Sequence, residues 1–284
     1  MKKVLILGSS GILGSALVRA FSTDYHVISG VKDAFDITNY AVLEKNIYQS
    51  ESDVIINAAA FNGVDLTEEN ADAYQAAEAI NGEAVGNLAK LSAQENIPLV
   101  HFSTDYVFDG ENVEGYAEEA APAPLNKYGH TKFLGERLLQ ENTNQYYLVR
   151  LSRLFGHHGA SARAKKSFVD IMIDLAEKQG KKELKLVDEE ISSPTYSVDL
   201  ARRVRQLVAG QYPYGIYHGA NSGSCSWYGL AKKIFELKQL PVKLTPILSS
   251  EYPRPAKRPL HSVLLNTKLP PARSWQEALT EYAT

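Results

Sequence analysis

The chain has 284 residues, 44% of them hydrophobic and 22% charged, with a formal net charge of −3. These values suit one large α/β domain, or a nucleotide domain with a smaller companion, and without a long basic run they argue against nucleic acid as the main partner. A single cysteine, Cys225, excludes an internal disulfide framework and an all-cysteine metal site, and suits a reducing compartment.

The opening "MKKVLILGSSGILGSALVRAF" places basic residues before an apolar run, as a secretory signal does. The run "VLIL" is too short for one, and Gly8, Gly11 and Gly14 interrupt it. No other stretch approaches the ~18 unbroken apolar residues of a membrane span, so the expectation is a cytoplasmic protein with no membrane partner. Val4–Leu7 reads as a strand feeding a helix near Leu13–Phe21, and His26–Ser29 as a strand before a helix near Asn39–Gln49. Val54–Asn57 then precedes one long helix around Asp72–Glu95. Leu99–Ser103 leads through a loop to the helix of Tyr128, and Tyr147–Leu151 closes the series. Apolar strands alternating with helices predict a Rossmann-like, doubly wound parallel sheet, class α/β, with ligands at the strand C-termini.

Beyond Phe155 the rhythm loosens. Helices are expected near Phe168–Gln179, Val198–Ala209 and Trp227–Leu237, with short strands at Leu184–Val187 and Gly215–His218. The Pro-rich, basic tail "PILSSEYPRPAKRPLHSVLLNTKLPP" reads as an ordered loop rather than a linker. The expected division is a dinucleotide-binding domain over 1–155, rejoined by about 191–222, with 156–190 and 223–284 forming a smaller α/β substrate-binding region.

Gly8, Gly11 and Gly14 follow the first strand as G-x-x-G-x-x-G and open a helix. Glycines here allow a tight turn and let backbone N–H groups approach a pyrophosphate at the helix N-terminus. The alternative is a tight turn with no ligand. At the end of the second strand an acid would favour a free ribose 2′-hydroxyl and a base a 2′-phosphate. Here "VISGVKDAFDIT" offers Gly30 and then Lys32, which leans to NADPH with NADH possible, while Asp33 pulls the other way. Asp36 and Ile37 are placed to border the adenine.

In "NKYGHTKFLGERL" Tyr128 and Lys132 lie four residues apart, about one helical turn, so their side chains share a face. Pro124 and Asn126 are start signals that put Tyr128 in the first turn. There the helix dipole and the nearby ammonium both favour the phenolate, which would lower the phenol pKa and suit a proton donor. The same spacing also arises on ordinary helix faces.

The glycine triplet, "NAAAF" (Asn57–Phe61), "STDYVFDG" (Ser103–Gly110) and Tyr128-x-x-x-Lys132 occur in one order, and together resemble the extended short-chain dehydrogenase/reductases. Within that group the chain is most similar to the dTDP-4-dehydrorhamnose reductase family, through "GVDLTEE", "INGEAVGNLA", "SSPTYSVDLA", "YHGANSGSCSWYGLA" and "RPAKRPLHSVLLNTKL". The likeness covers nearly the whole chain. It implies reduction, with NADPH or NADH, of the C4 carbonyl of a nucleotide-activated 4-keto-6-deoxysugar. Tyr128 would then be the general acid, Lys132 the residue holding the nicotinamide ribose, and Thr104 a donor to the same oxygen. Gly8, Gly11, Ile12, Leu13, Gly14, Ala58, Ala59 and Ala60 would face the cofactor, with Lys32, Asp36, Ile37, Tyr128 and Lys132. Val64, Thr104, Tyr106, Tyr128 and Arg153 would border the sugar. Two departures stand out: Arg153 where relatives often carry Trp, and "EEISSPT", with Glu190 and Ser192, where D-Q-x-G-x-P-T is common.

Thr104 and Asp105 are followed by Tyr106 rather than Glu, which disfavours a dehydratase. Cys225 lies far from the helix pair and gives an epimerising reductase no support. Other readings are an extended short-chain dehydrogenase acting on another sugar nucleotide, and a non-catalytic subunit resembling the beta subunit of methionine adenosyltransferase. Adjacent His157 and His158, with no carboxylate cluster beside them, do not suggest a metal site. "RAKK" (Arg163–Lys166) reads as a solvated face and Trp227 with Tyr228 as helix packing. Asn81 reads as a buried polar group, near the active site in the family. A monomer or homodimer is expected.

Overall fold

The computed structural model describes residues 1–32, 34–159 and 166–283. Five strands, β1 (Lys2–Leu7), β2 (Tyr25–Gly30), β3 (Val54–Asn57), β4 (Leu99–Thr104) and β5 (Tyr146–Leu151), join Gly215–His218 in a six-stranded sheet. Its order runs β2, β1, β3, β4, β5 and then Gly215–His218, and every neighbouring pair is parallel. Side chains alternate across a strand, and β1 shows the consequence. Val4 and Ile6 enter one core with α1 (Ile12–Phe21) and the helix Ser197–Ala209, whereas Leu5 and Leu7 enter another with α2 (Tyr40–Ser50) and later helices. Both faces are covered, which is why the strands read as unbroken apolar runs.

From β1 the chain crosses to β2 on one side and later to β3 on the other. The reversal opens a crevice at the C-terminal ends of β1 and β3, the usual ligand position in such sheets.

The single helix expected over 72–95 is divided. After the short α3 (Leu66–Glu69) come α4 (Ala71–Glu78), a wide π-helical turn at Ala79–Glu83 and α5 (Ala84–Gln94). Across from that turn runs α6 (Lys127–Asn142), whose Gly135 sits so close that a Cβ there would lie 2.0 Å from the Asn81 carbonyl oxygen. In the turn, the fully buried Asn81 side chain accepts from Phe61 N (2.9 Å) and donates to Phe61 O (3.0 Å) and Thr131 Oγ1 (3.1 Å). Periodicity alone does not show such a widening, because the extra residue is compensated by tertiary contacts; π-turns of this type often stand at functional sites. Asn81→Ala is expected to leave both polar groups of Phe61 without these partners and to lower stability by ~1–3 kcal/mol, measurable by urea unfolding.

A second lobe packs Phe155, Val169, Met172, Leu230, Ile234 and Leu279. The tail is ordered, as expected. His261–Ser262 pairs with Ile191–Ser192, Leu265 N donates to Tyr116 O (2.8 Å), and Arg258 makes a fork onto Asp65. Beneath it lies a buried ion pair: Arg150 donates from Nε and Nη2 to the two Glu136 oxygens (3.0 and 2.7 Å) and from Nη1 to Glu118 O (3.1 Å). Among the described residues no helix is long and apolar enough to cross a membrane.

Candidate functional site

The glycine turn comes first. Gly8 has φ +72°, and a Cβ on it would stand 2.6 Å from Ala59 N; one on Gly14 would stand 2.1 Å from Gly8 O. Gly11 caps α1, and its N–H donates to Gly8 O (3.1 Å). The turn therefore admits no side chain at Gly8 or Gly14, and leaves the helix N-terminus free of them, the arrangement that suits a phosphate. Ile12 and Leu13 form the first turn of α1, but the Leu13 side chain points into the core and Ala58 packs on that core's edge.

Gly8, Lys32, Asp36, Ile37, Ala59 and Ala60, six of the residues expected at the cofactor, line one groove of about 480 Å³. Phe35, Phe61 and Ile80 add apolar walls that the sequence reading missed. Lys32 is exposed. Asp36 accepts from Thr38 N and Oγ1 (3.0 and 2.7 Å), and these bonds hold its carboxyl below the usual range. Asp33 lies outside the described residues. A glycine cradle at a helix N-terminus, continuous with an apolar slot, fits a dinucleotide.

Deeper, Asn126 caps α6, accepting from Gly129 N (2.8 Å), and so sets Tyr128 in the first turn as expected. Tyr128 is 8% exposed and Lys132 3%. The Tyr128 hydroxyl is 3.5 Å from Asn62 Oδ1, and the Tyr106 ring meets it edge-on at 6.0 Å. The expected lowering of the phenol pKa is not found. Burial raises it, the Asp105 carboxylate and Tyr106 add to the rise, and the neighbouring Thr104 hydroxyl opposes them. Lys132 does not offset this, because its Nζ donates to Phe102 O (2.7 Å) within the fold, and burial brings its own pKa down to about 8. The helix dipole favours the phenolate, but desolvation of the charged form is the larger effect.

Val64, Thr104, Tyr106, Tyr128 and Arg153, the residues expected at the sugar, come together around a pocket of about 140 Å³. Its floor adds Asp105, which is buried and accepts from Ser262 (2.6 Å), Ser152 (2.9 Å) and Thr104 (3.1 Å); burial raises its carboxyl pKa. Arg153 has φ +44°, donates from Nη1 to Cys225 O (2.7 Å) and from Nη2 to Glu190 O (2.5 Å), and lies 4.0 Å over the Trp227 ring. Trp227 is thus more than helix packing: it walls the pocket, and its Nε1 donates to Glu190 Oε2 (3.0 Å). Glu190 also accepts from Ser249 (2.8 Å) and is ion-paired with Arg254, so its pKa is lowered although burial opposes this. The two departures noted in the sequence are one connected unit. Of "RAKK", Arg163, Ala164 and Lys165 lie outside the described residues, and Lys166 pairs with Asp174.

A parallel sheet with a glycine turn on its first strand, and a Tyr-x-x-x-Lys helix at the neighbouring pocket, define the class: an extended short-chain dehydrogenase/reductase with a Rossmann fold. More narrowly, the chain belongs to the RmlD substrate binding domain family, whose model matches residues 1–284. It is similar to the spore coat polysaccharide biosynthesis protein SpsK of Bacillus subtilis, 37% identical over 99% of this chain and 97% of the relative. A dTDP-4-dehydrorhamnose reductase of Burkholderia thailandensis is 33% identical over 94% and 91%. Among solved structures, a dTDP-4-dehydrorhamnose reductase of Bacillus anthracis in complex with NADP superposes with a TM-score of 0.92, at 35% identity and 99% coverage of each chain.

Proposed function

We propose that this protein is an NADPH-dependent reductase of the C4 carbonyl of a nucleotide-activated 4-keto-6-deoxysugar, and that dTDP-4-dehydrorhamnose, converted to dTDP-rhamnose, is its substrate. The observation that carries the reading is the meeting of Tyr128, Thr104 and Arg153 at one pocket. The names of the relatives and the NADP-bound neighbour point the same way. When bound, the nicotinamide cofactor supplies hydride. Tyr128 gives its hydroxyl proton to the carbonyl oxygen. Burial keeps that phenol protonated until the carbonyl oxygen takes the proton. Thr104, whose hydroxyl in the structure bonds Asp105, turns to share the developing negative charge. Lys132 holds the ribose and, when charged, eases loss of the phenol proton. Asp105 and the Arg153–Glu190–Trp227 unit hold the sugar. We assign 1–155 with about 191–222 to the dinucleotide, and 156–190 with 223–284 to the substrate. We place the protein in the cytoplasm, as a monomer or homodimer.

The test is a panel of nucleotide 4-keto-6-deoxysugars with NADPH and NADH. Turnover of dTDP-4-dehydrorhamnose with NADPH is expected; cofactor binding without turnover of any member would overturn the reductase reading. For cofactor choice, Lys32→Glu is expected to weaken NADPH several-fold more than NADH, because an exposed charge contact is worth only ~1 kcal/mol. Parallel KM measurements check it, and equal effects on both would remove Lys32 from the site.

A further inference from the structure

Buried on β4, the His101 imidazole (1% exposed) takes no part in the chemistry above. In the sheet register it faces Asn57 on β3, itself 1% exposed, and its Nδ1 lies 3.2 Å from Asn57 Nδ2. The direction of that bond is decided by Asn57's other atom. Asn57 Oδ1 accepts the Ala59 N–H (3.1 Å), so Nδ2, a donor, is the atom turned to the ring. The imidazole must then accept at Nδ1 and carry its proton on Nε2, which has no hydrogen-bond partner among the described residues. Burial and the nearby Lys132 ammonium oppose a charged imidazole, which would put a donor at Nδ1, and they outweigh the Asn57 backbone, which favours one. Ala59, at the far end of this chain, lines the dinucleotide groove, and its nitrogen is what a Cβ on Gly8 would strike.

We infer that His101 is a positioning residue for the dinucleotide: by accepting from Asn57 it holds the Asn57 amide, which pins the Ala59 backbone against the glycine turn. This rests on the dinucleotide reading of the groove. Nothing else in the register does the same work, because Asn57 Nδ2 has no second acceptor among the described residues. Without His101 that amide is free to rotate, and the wall facing Gly8 loosens. Cofactor affinity should therefore fall more than turnover does.

The experiment titrates NADPH by fluorescence against the native protein, His101→Leu and His101→Gln, with KM, kcat and Tm measured on each. Leucine removes the acceptor. Glutamine restores one, its Oε1 being able to accept from Asn57. We expect His101→Leu to weaken NADPH about five- to tenfold, the usual scale for one buried hydrogen bond, with KM rising more than kcat falls. His101→Gln is expected to bind within about twofold of native. Native-like NADPH affinity in His101→Leu, or equal weakening in both variants, would overturn the inference, because a merely structural role would lower Tm in each without separating their affinities. Should His101→Leu not fold, His101→Phe, a flat ring without an acceptor, takes its place with the same expectation. Failure of the native protein to bind NADPH would strike the dinucleotide reading itself.

Discussion

Tyr128→Phe is expected to lower turnover by ~10²–10⁴-fold, the range for loss of a placed general acid, and to leave NADPH affinity within about twofold. The substitution keeps the ring, which packs edge-on against Tyr106, and keeps the cap of α6, which belongs to Asn126. It removes the hydroxyl that lies beside Asn62 at the pocket. Neither the glycine turn nor Lys132 is touched, so the cofactor should bind as before. Lys132→Ala should behave differently, lowering both turnover and cofactor affinity, because that residue is assigned to the ribose as well as to the phenol. It should also leave the Phe102 carbonyl without its donor. Steady-state kinetics with a separate NADPH titration distinguish the two variants. A Tyr128→Phe enzyme with near-native turnover would return this helix pair to ordinary packing.

The second large effect is on stability. Glu136→Ala is expected to cost ~3–5 kcal/mol, because it leaves the Arg150 guanidinium, 1% exposed, with only the Glu118 carbonyl as acceptor among the described residues. A buried charge without its partner is far more costly than a lost surface pair. Removing both charges with Glu136→Leu and Arg150→Met should recover most of the loss, since similar volume is kept and no ion remains to be desolvated. Urea unfolding of the single and double variants measures this. A single-variant loss under ~1 kcal/mol would mean that water reaches Arg150 and that the pair is effectively a surface one.

Such pairs show where sequence reading stops. Glu136 lies on α6 and Arg150 on β5, and no local spacing announces that they meet. The phenol is a sharper case. From sequence, Tyr128 is a first-turn residue beside a lysine, and both features lower a pKa. In the fold the lysine bonds Phe102 O, and burial with Asp105 turns the shift upward. From sequence Trp227 reads as helix packing; its indole meets Arg153 and Glu190 only after three distant segments close the pocket.

By itself the sequence determined the parallel α/β architecture, the glycine turn, the capped helix that carries Tyr128 and Lys132, and the family. Each rests on relations among near neighbours: strand and helix periodicity, a cap three residues from its target, glycines where a Cβ would collide with backbone. Only the tertiary structure decided the π-turn that aims Asn81 at Phe61, the His101–Asn57–Ala59 chain, the joining of Arg153, Glu190 and Trp227, and the direction of each pKa shift. These depend on which segments exclude water from which groups, and desolvation acts through space rather than along the chain.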